Sequence, residues 1–274
     1  MESTALLIAG FIIGTFGTLI GAGGGFILVP LLLICYPILG PEVTTAISIA
    51  VVAVNAISGS VAYARSGRID YKAGTIFALF TIPGSIVGVL SVQYIPQHLF
   101  NIVFGILLVA LSIYLFIKNR GTESDTENFK ITKGCRERSI IDRDGIKYHY
   151  CYDPIYGNLV SIVVGYISPL LGIGGGIIHV PAMVNWLKFP VRIATATSHF
   201  ILAVMATASV VTHAVYGTYS DPKVIHMILF LSLGVVPGAQ LGAYLSNKVK
   251  SNVILQVLSA CLVLVAIRIL ASSI

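Results

Sequence analysis

The chain has 274 residues, of which 56% are hydrophobic and only 10% are charged, and its formal net charge is +6. Soluble domains carry about 25% charged residues, so this composition excludes an ordinary soluble protein and indicates a chain that lies in lipid. The excess of Lys and Arg does not predict a nucleic-acid partner, because these residues cluster in loops between apolar segments, where they orient membrane helices.

Apolar segments long enough to cross a bilayer recur along the whole chain. A hydrocarbon core of about 30 Å needs roughly 20 residues of helix. The candidate segments are 4–35, 43–64, 73–94, 98–117, 155–187, 194–216, 224–246 and 252–272. The opening MESTALL has neither a basic region nor a small-residue cleavage site, so we expect no removable signal peptide. These features predict an all-α, multi-pass protein of the cell (inner) membrane.

The first apolar segment contains the sequence GAGGGFILVP at residues 21–30. As one straight helix, segment 4–35 would be about 48 Å long, which is too long for one perpendicular crossing and too short for two. Glycine readily adopts the backbone angles of a helix break. A break inside the membrane survives only where protein or water surrounds it. A bent crossing and a re-entrant hairpin both fit, with a second helix that begins near Gly25 and contains Pro30.

The second half of the chain repeats this motif as GIGGGIIHVP at residues 172–181. At a constant offset of 151 residues, Gly14, Gly21, Gly23, Gly24, Gly25 and Pro30 correspond to Gly165, Gly172, Gly174, Gly175, Gly176 and Pro181. Later in each half, PGSIVG at 83–88 matches PGAQLG at 237–242. We therefore divide the chain into a first membrane repeat at 1–117, a hydrophilic linker at 118–153 and a second membrane repeat at 154–274.

Basic residues in the loops predict that the two repeats face opposite ways. In the first repeat they lie in the middle loop, as Arg65, Arg68 and Lys72. In the second repeat they lie mainly in the outer loops, as Lys188, Arg192, Lys248 and Lys250, with Lys223 alone in the middle loop. Because positive residues mark the cytoplasmic side, we expect inverted repeats, each a glycine-broken re-entrant hairpin plus three transmembrane helices. A parallel repeat of four plus four spans stays the alternative.

The linker is charged and contains two cysteines. It holds seven of the eleven acidic residues, together with Cys135 and Cys151. The charge pattern places it in the cytoplasm, where thiols stay reduced, so we expect no disulfide there. Cys135, His149 and Cys151 fit no standard zinc spacing, and we expect neither a metal nor a cofactor.

The two glycine breaks predict an anion pocket. The first N–H groups of a helix have no partner within that helix, and with the positive end of the helix dipole they attract an anion. Since the break is repeated, we expect each half to contribute to one site at the repeat interface. Close helix packing is the alternative role of membrane glycines. We assign that role to Gly14, Gly88, Gly105 and Gly242.

The helix after each break carries a polar stripe. At about 100° per residue, one stripe contains Thr44, Ser48, Asn55 and Ser58, and the other contains Thr195, His199, Ser209 and His213. Such side chains should point into the helix bundle, although a hydroxyl often bonds only to its own helix.

Ionisable groups are scarce inside the predicted spans. His179, His199 and His213 are the only ones well inside, and because histidine titrates near neutral pH, they are candidates for proton coupling. No Asp or Glu lies inside a predicted span. Cation carriers commonly use intramembrane carboxylates, so the pattern favours an anion as the transported solute.

The pair GAGGGFILVP and GIGGGIIHVP, placed at the start of two homologous halves, resembles the TauE/SafE family of sulfite exporters, also called the DUF81 or toluene sulfonate uptake permease group. The resemblance covers both halves and leaves residues 118–153 outside. It implies a secondary transporter of small anions, with sulfite and sulfonates among the substrates. The second half has His179 where the first has Leu28, so the two half-sites differ chemically.

We therefore expect a secondary transporter that moves a small oxyanion (sulfite, an organosulfonate or a related sulfur or carbon anion) by alternating access. The predicted substrate-binding residues are Gly21, Gly23, Gly24, Gly25, Pro30, Thr44, Ser48, Asn55, Gly172, Gly174, Gly175, Gly176, Pro181, Thr195, Ser198 and His199. The expected partners are the anion, the lipid bilayer and a coupled proton or sodium ion.

Two other classes of function stay open as alternatives: a cation carrier or channel, and a non-transporting membrane sensor whose output is the linker. An intramembrane hydrolase needs a nucleophile and a base within reach. Ser198 and His199 are adjacent and do not face each other on a helix, whereas Ser209 and His213 are one turn apart but lack an orienting acid nearby in sequence. We do not expect an enzyme.

Overall fold

The structure, a computed structural model, describes residues 2–118, 135–248 and 263. The helices of the first half are α1 (Ser3–Ile20), α2 (Gly25–Cys35), α3 (Pro41–Arg65), α4 (Tyr71–Val92) and α5 (Gln97–Lys118). The second half has α6 (Pro154–Leu171), α7 (Gly176–Asn185), α8 (Val191–Val215) and α9 (Pro222–Lys248). Between the halves lie the strands β1 (Arg136–Ile141) and β2 (Lys147–Tyr152).

Six of the described helices are long and apolar enough to cross a membrane, namely α1, α3, α4, α6, α8 and α9. The predicted spans 43–64, 73–94, 194–216 and 224–246 are confirmed by α3, α4, α8 and α9, and 98–117 falls within α5. The predicted span 252–272 lies outside the described residues except for Val263. The chain is an all-α, multi-pass membrane protein, as predicted.

The first arm of each broken segment is long enough to cross a membrane. Helices α1 and α6 have 18 residues each, or about 27 Å at 1.5 Å per residue, so each is long enough to cross by itself. The second arms, α2 and α7, have only 11 and 10 residues. Each broken segment is therefore a long helix followed by a short one, with the break at the C-terminal end of the long helix.

In the first broken segment, the start of α1 and the end of α2 lie near each other. Leu6 in α1 and Leu32 in α2 share one buried cluster with Ile47 near the start of α3 and Val224 near the start of α9. In the second half, Met183 near the end of α7 and Ile193 in α8 cluster with Phe77 of α4. Helix α4 begins where α3 ends, so the two broken segments return to different ends of the helix bundle.

Glycines bring the long arms close to helices of the other half. A Cβ on Gly14 of α1 would lie 2.6 Å from the carbonyl oxygen of Val235 in α9. Gly88 of α4 packs against the backbone of Tyr166 in α6, and Gly242 of α9 packs against the backbone of α1. The packing role predicted for these three glycines is confirmed, and that of Gly105 stays a prediction.

Strands β1 and β2 form an antiparallel ribbon within the linker, which we call the β-ribbon. A disulfide joins Cys135 to Cys151, with their Cα atoms 5.7 Å apart. The prediction of two reduced thiols is therefore wrong for this structure. The strand register pairs Glu137 with Cys151, and this pairing brings Cys135 close to Cys151. The prediction rested on the cell compartment alone and did not consider this proximity.

The β-ribbon docks on the loop between α3 and α4. Arg138 forms a salt bridge with Asp70, and the Tyr150 hydroxyl donates to the same carboxylate at 2.7 Å. Asp70 also caps α4 by accepting the N–H groups of Lys72 and Ala73. Burial alone raises the pKa of Asp70, but these hydrogen bonds outweigh it and hold the pKa below its usual range. We call this end of the bundle the ribbon end.

Candidate functional site

The two glycine motifs form the predicted helix breaks. The φ angles of Gly21, Gly23 and Gly24 are 78°, 79° and 85°, and those of Gly172, Gly174 and Gly175 are 68°, 82° and 56°. Residues other than glycine rarely adopt such φ angles. Helix α2 begins at Gly25 and α7 begins at Gly176, so the predicted starts of both second helices are confirmed.

The two breaks contact each other through their backbones. A Cβ on Gly25 would clash with the carbonyl group of Gly172, and one on Gly176 would clash with the carbonyl group of Gly21. Residues 21–26 and 171–177 are all buried. The halves of the chain therefore meet at the breaks, and this contact is too close for a solute to fit between these four residues.

Several N–H groups at the breaks make no hydrogen bond within the described part of the chain. They belong to Gly24, Gly25 and Phe26 in the first break and to Gly174, Gly175 and Ile177 in the second. The other N–H groups of the first break turn back to the carbonyl groups of Gly17 and Thr18. Buried N–H groups are normally paired, so each break presents donors that an anion can satisfy.

A buried hydrogen-bond network holds the first break. The Asn55 amide donates to the Gly23 carbonyl at 2.9 Å and accepts the Thr18 hydroxyl at 2.9 Å. Thr18 Oγ1 also lies 3.3 Å from His199 Nε2, and the Tyr63 hydroxyl donates to the Thr18 carbonyl at 2.7 Å. Asn55 and His199 were predicted from the sequence. Thr18 and Tyr63 were not, although their polar atoms in apolar segments were the available signal.

Each break is also held by the helix that follows the other break. The Ser48 hydroxyl of α3 donates to the Gly172 carbonyl at 2.6 Å. In the opposite sense, Thr195 of α8 lies against Gly21, where an added Cβ would be 2.7 Å from Thr195 Cγ2. The structure therefore brings four predicted residues to the meeting point of the breaks, namely Ser48, Asn55, Thr195 and His199.

Other buried polar atoms of α3, α6 and α8 have no hydrogen-bond partner among the described residues. They are the hydroxyl groups of Thr44, Ser168 and Ser198 and the Nδ1 atom of His199. Ser168, which the sequence analysis missed, lies beside Gly175, where an added Cβ would be 3.1 Å from its Oγ. Unpartnered buried polar atoms are uncommon in proteins, and these four add to the capacity of the site to bind a polar solute.

The prolines of the motifs lie within the second arms. Pro30 is buried inside α2 and Pro181 is buried inside α7, and both helices continue past them. Their position inside the helix is as predicted, and their assignment to substrate binding stays a prediction.

The three candidate histidines lie in separate places. His199 is at the breaks, whereas His179 Nε2 contacts Ser161 of α6 at 3.2 Å. His213 Nδ1 lies 3.4 Å from Thr218 Oγ1, which donates to Glu42 Oε1 at 3.1 Å. Glu42 falls just before the predicted span but within the first turn of α3, so one carboxylate does belong to a described membrane-spanning helix.

The serine and histidine considered for hydrolysis do not pair. The Ser209 hydroxyl donates to the Met205 carbonyl of its own helix at 3.0 Å, and His213 turns to Thr218 instead. The pair therefore lacks the contact between nucleophile and base that such catalysis requires.

Comparisons with known proteins extend along most of the chain. Residues 6–269 match the family described as Sulfite exporter TauE/SafE. The probable membrane transporter protein YunE of Bacillus subtilis (strain 168) is 31% identical over 280 residues, which cover 98% of this chain and 98% of that protein. A probable membrane transporter protein of Methanocaldococcus jannaschii is 27% identical over 267 residues, covering 94% and 91%.

A probable membrane transporter protein of Xylella fastidiosa (strain Temecula1) is 23% identical over 246 residues, covering 89% of this chain and 84% of that protein. No solved structure matches the chain significantly. The family match includes both glycine breaks and the helices that hold them. The chain thus belongs to the sulfite exporter TauE/SafE family, and it is a multi-pass membrane transporter and not an enzyme.

Proposed function

We propose that the protein is a secondary transporter that carries a small oxyanion, such as sulfite or an organosulfonate, by alternating access. The observation that carries this proposal is the contact between the two glycine breaks, one from each half, with unbonded N–H groups at both. Backbone N–H groups at helix starts bind anions through hydrogen bonds and the helix dipole. Ser48, Thr195 and His199 surround the meeting point with further polar groups.

We infer that the two halves are inverted repeats and that the closed contact between the breaks opens towards one end of the bundle at a time. The first broken segment returns to the end where α3 begins, and the second returns to the end where α4 begins. Carriers built from inverted repeats alternate by moving one repeat against the other around a central site. Parting of Gly25 from Gly172, or of Gly176 from Gly21, supplies the space for the anion.

We also propose that the ribbon end is cytoplasmic. Arg65, Arg68 and Lys72 lie at that end, whereas the connection between α8 and α9 at the opposite end has only Lys223, in the first turn of α9. Positive residues in short loops set the orientation of membrane helices. Cytoplasmic thiols stay reduced, so a bond between Cys135 and Cys151 that persists in protein taken from growing cells under thiol-blocking conditions would contradict this orientation.

We propose that a proton is coupled to transport through His213 and Glu42, which Thr218 bridges. We expect Glu42→Gln and His213→Gln each to reduce accumulation driven by a pH gradient by at least about tenfold, a typical size for coupling between sites. Exchange of labelled for unlabelled sulfite, which needs no net proton movement, should persist. His226→Gln is the matched control, because His226 is exposed near the same end. Equal accumulation by all three variants would contradict coupling at this pair.

Uptake of labelled sulfite into liposomes that contain the purified protein tests the proposed substrate class. We expect saturable uptake that an organosulfonate inhibits, and we would compare sulfate, thiosulfate, sulfoacetate and short carboxylates as competitors. Folded protein that shows no saturable flux of any of these anions would contradict the proposal. Currents that depend on a metal cation would support a cation carrier or channel instead.

A further inference from the structure

A buried ion pair holds the β-ribbon at the ribbon end of the bundle. Arg68 Nε lies 3.3 Å from Asp142 Oδ2, and Arg68 Nη2 lies 3.1 Å from Asp144 Oδ2. The side chains of Arg68 and Asp142 are 2% and 0% exposed, whereas that of Asp144 is 66% exposed. The buried ion pair of Arg68 is therefore the one with Asp142.

A small cavity lies between Arg68 and Thr195, the residue that packs on the first glycine break. It has a volume of about 10 Å³ and is lined by Tyr63, Arg68, Arg192, Thr195 and Ser246, which is close to the space that one water needs. Thr195 packs on Gly21, and Tyr63 donates to the carbonyl group of Thr18 next to the break. Two arginines thus lie one layer of side chains away from the proposed substrate site.

A larger groove opens beside the same arginine. It has a volume of about 260 Å³, and Arg65, Arg143, Gln240 and Tyr244 are among the residues that line it. Asp144 also lines this groove while it pairs with Arg68. Asp144 thus links the groove to Arg68, and Arg68 in turn lines the small cavity next to the break.

We propose that Arg68, with Arg192 beside it, is an anion-binding site on the path between the ribbon end and the glycine breaks, and that Asp142 occupies this site as a tethered competitor. The ligand is a small oxyanion of the transported class, so the inference rests on the proposed function. An incoming anion replaces the carboxylate on Arg68, the turn of the β-ribbon at residues 142–146 is released, and the path to the small cavity opens. Arginine binds oxyanions through its fork of N–H groups, so the guanidinium of Arg68 stays paired with a negative charge after the exchange.

The β-ribbon positions this carboxylate independently of Arg68. Asp142 Oδ1 accepts the N–H groups of Asp144 and Ile146 at 3.0 and 2.9 Å, and the Tyr148 hydroxyl donates to Oδ2 at 3.2 Å. Burial favours the neutral carboxyl group, but the Ile146 N–H and the Arg68 charge outweigh it and lower the pKa of Asp142. Asp142 is thus charged at neutral pH, as a competitor for an anion site must be.

Hydrogen exchange of the wild-type protein in detergent tests the displacement without any transport assay. The Cys135–Cys151 disulfide is reduced beforehand, because sulfite itself cleaves disulfides. Sodium sulfite, compared with sodium chloride at equal ionic strength, should then increase exchange across residues 141–147, including the Arg143 N–H that bonds to the Ser66 carbonyl. Unchanged exchange at a saturating sulfite concentration would overturn the inference. This result is separable from the proposed function, because sulfite uptake with an undisturbed β-ribbon refutes only the tethered competitor.

Transport from the ribbon end provides the second test. If Asp142 fills the site about nine-tenths of the time, its removal should lower the half-saturating sulfite concentration about tenfold. We expect this shift for Asp142→Asn and not for Glu137→Gln, which removes one charge from the same β-ribbon at an exposed position. Arg68→Gln should raise the half-saturating concentration. Identical values for Asp142→Asn, Glu137→Gln and the wild type would overturn the inference.

Discussion

Substitution of Gly25 or Gly176 by alanine should abolish transport. A Cβ added to Gly25 would lie 2.8 Å from the carbonyl carbon of Ile173, and a Cβ added to Gly176 would lie 2.7 Å from Ala22 Cα. Each added atom would therefore meet the backbone of the other break. Backbone cannot rotate away as a flexible side chain can, so the two breaks must move apart. Their N–H groups then no longer lie close enough together to bind one anion. We expect initial uptake of labelled sulfite to fall at least about 100-fold, which corresponds to roughly 2.7 kcal/mol.

Gly40→Ala is the matched control for these two variants. Gly40 has a φ of −65° and no atom within 4 Å of an added Cβ, so this substitution should leave uptake unchanged. Size-exclusion profiles of the purified proteins distinguish lost transport from misfolding. Near wild-type uptake by folded Gly25→Ala and Gly176→Ala proteins would mean that the close contact of the breaks is not needed.

Substitution of Asn55 by leucine should produce a large loss of stability. The similar shape of leucine fills the space, but the Gly23 carbonyl loses its donor and the Thr18 hydroxyl loses its acceptor. An unsatisfied buried group costs about 1–3 kcal/mol, so the two together should lower the free energy of unfolding by roughly 2–6 kcal/mol. Thermal unfolding in detergent measures this as a decrease in the midpoint temperature.

Thr45→Val serves as the control for the Asn55 variant. Thr45 is equally buried, but its hydroxyl donates only to the Glu42 carbonyl of its own helix at 3.0 Å. Its loss should change the midpoint little. Similar midpoints for the Asn55→Leu and Thr45→Val proteins would show that the network around the first break contributes no special stability.

The sequence predicted those features that depend on local chemistry. Hydropathy located the helices that cross the membrane, because lipid requires long apolar runs. The repeated glycines located the breaks to the residue, since positive φ angles exclude most other side chains. Helical periodicity also placed Ser48, Asn55, Thr195 and His199 on buried faces, and the structure brings these four to the breaks.

Features that depend on contacts between distant segments were missed. Thr18 joins the network because the end of α1 lies beside Asn55 of α3 and His199 of α8. The β-ribbon was missed because the linker was read by its charge, although KYHYCY contains the aromatic residues that strands favour. Its docking on Arg68 and Asp70 follows from tertiary packing, which no local pattern encodes.

We propose that the main chain of both breaks binds the transported anion. Crystals of the protein grown with selenite, a heavier analogue of sulfite, would locate the anion directly through anomalous scattering from selenium. We expect one peak between the breaks, with oxygens about 3 Å from the N–H groups of Gly24, Gly25, Gly174 and Gly175. A peak elsewhere in the bundle, with residues 21–25 and 172–176 still in backbone contact, would contradict the claim.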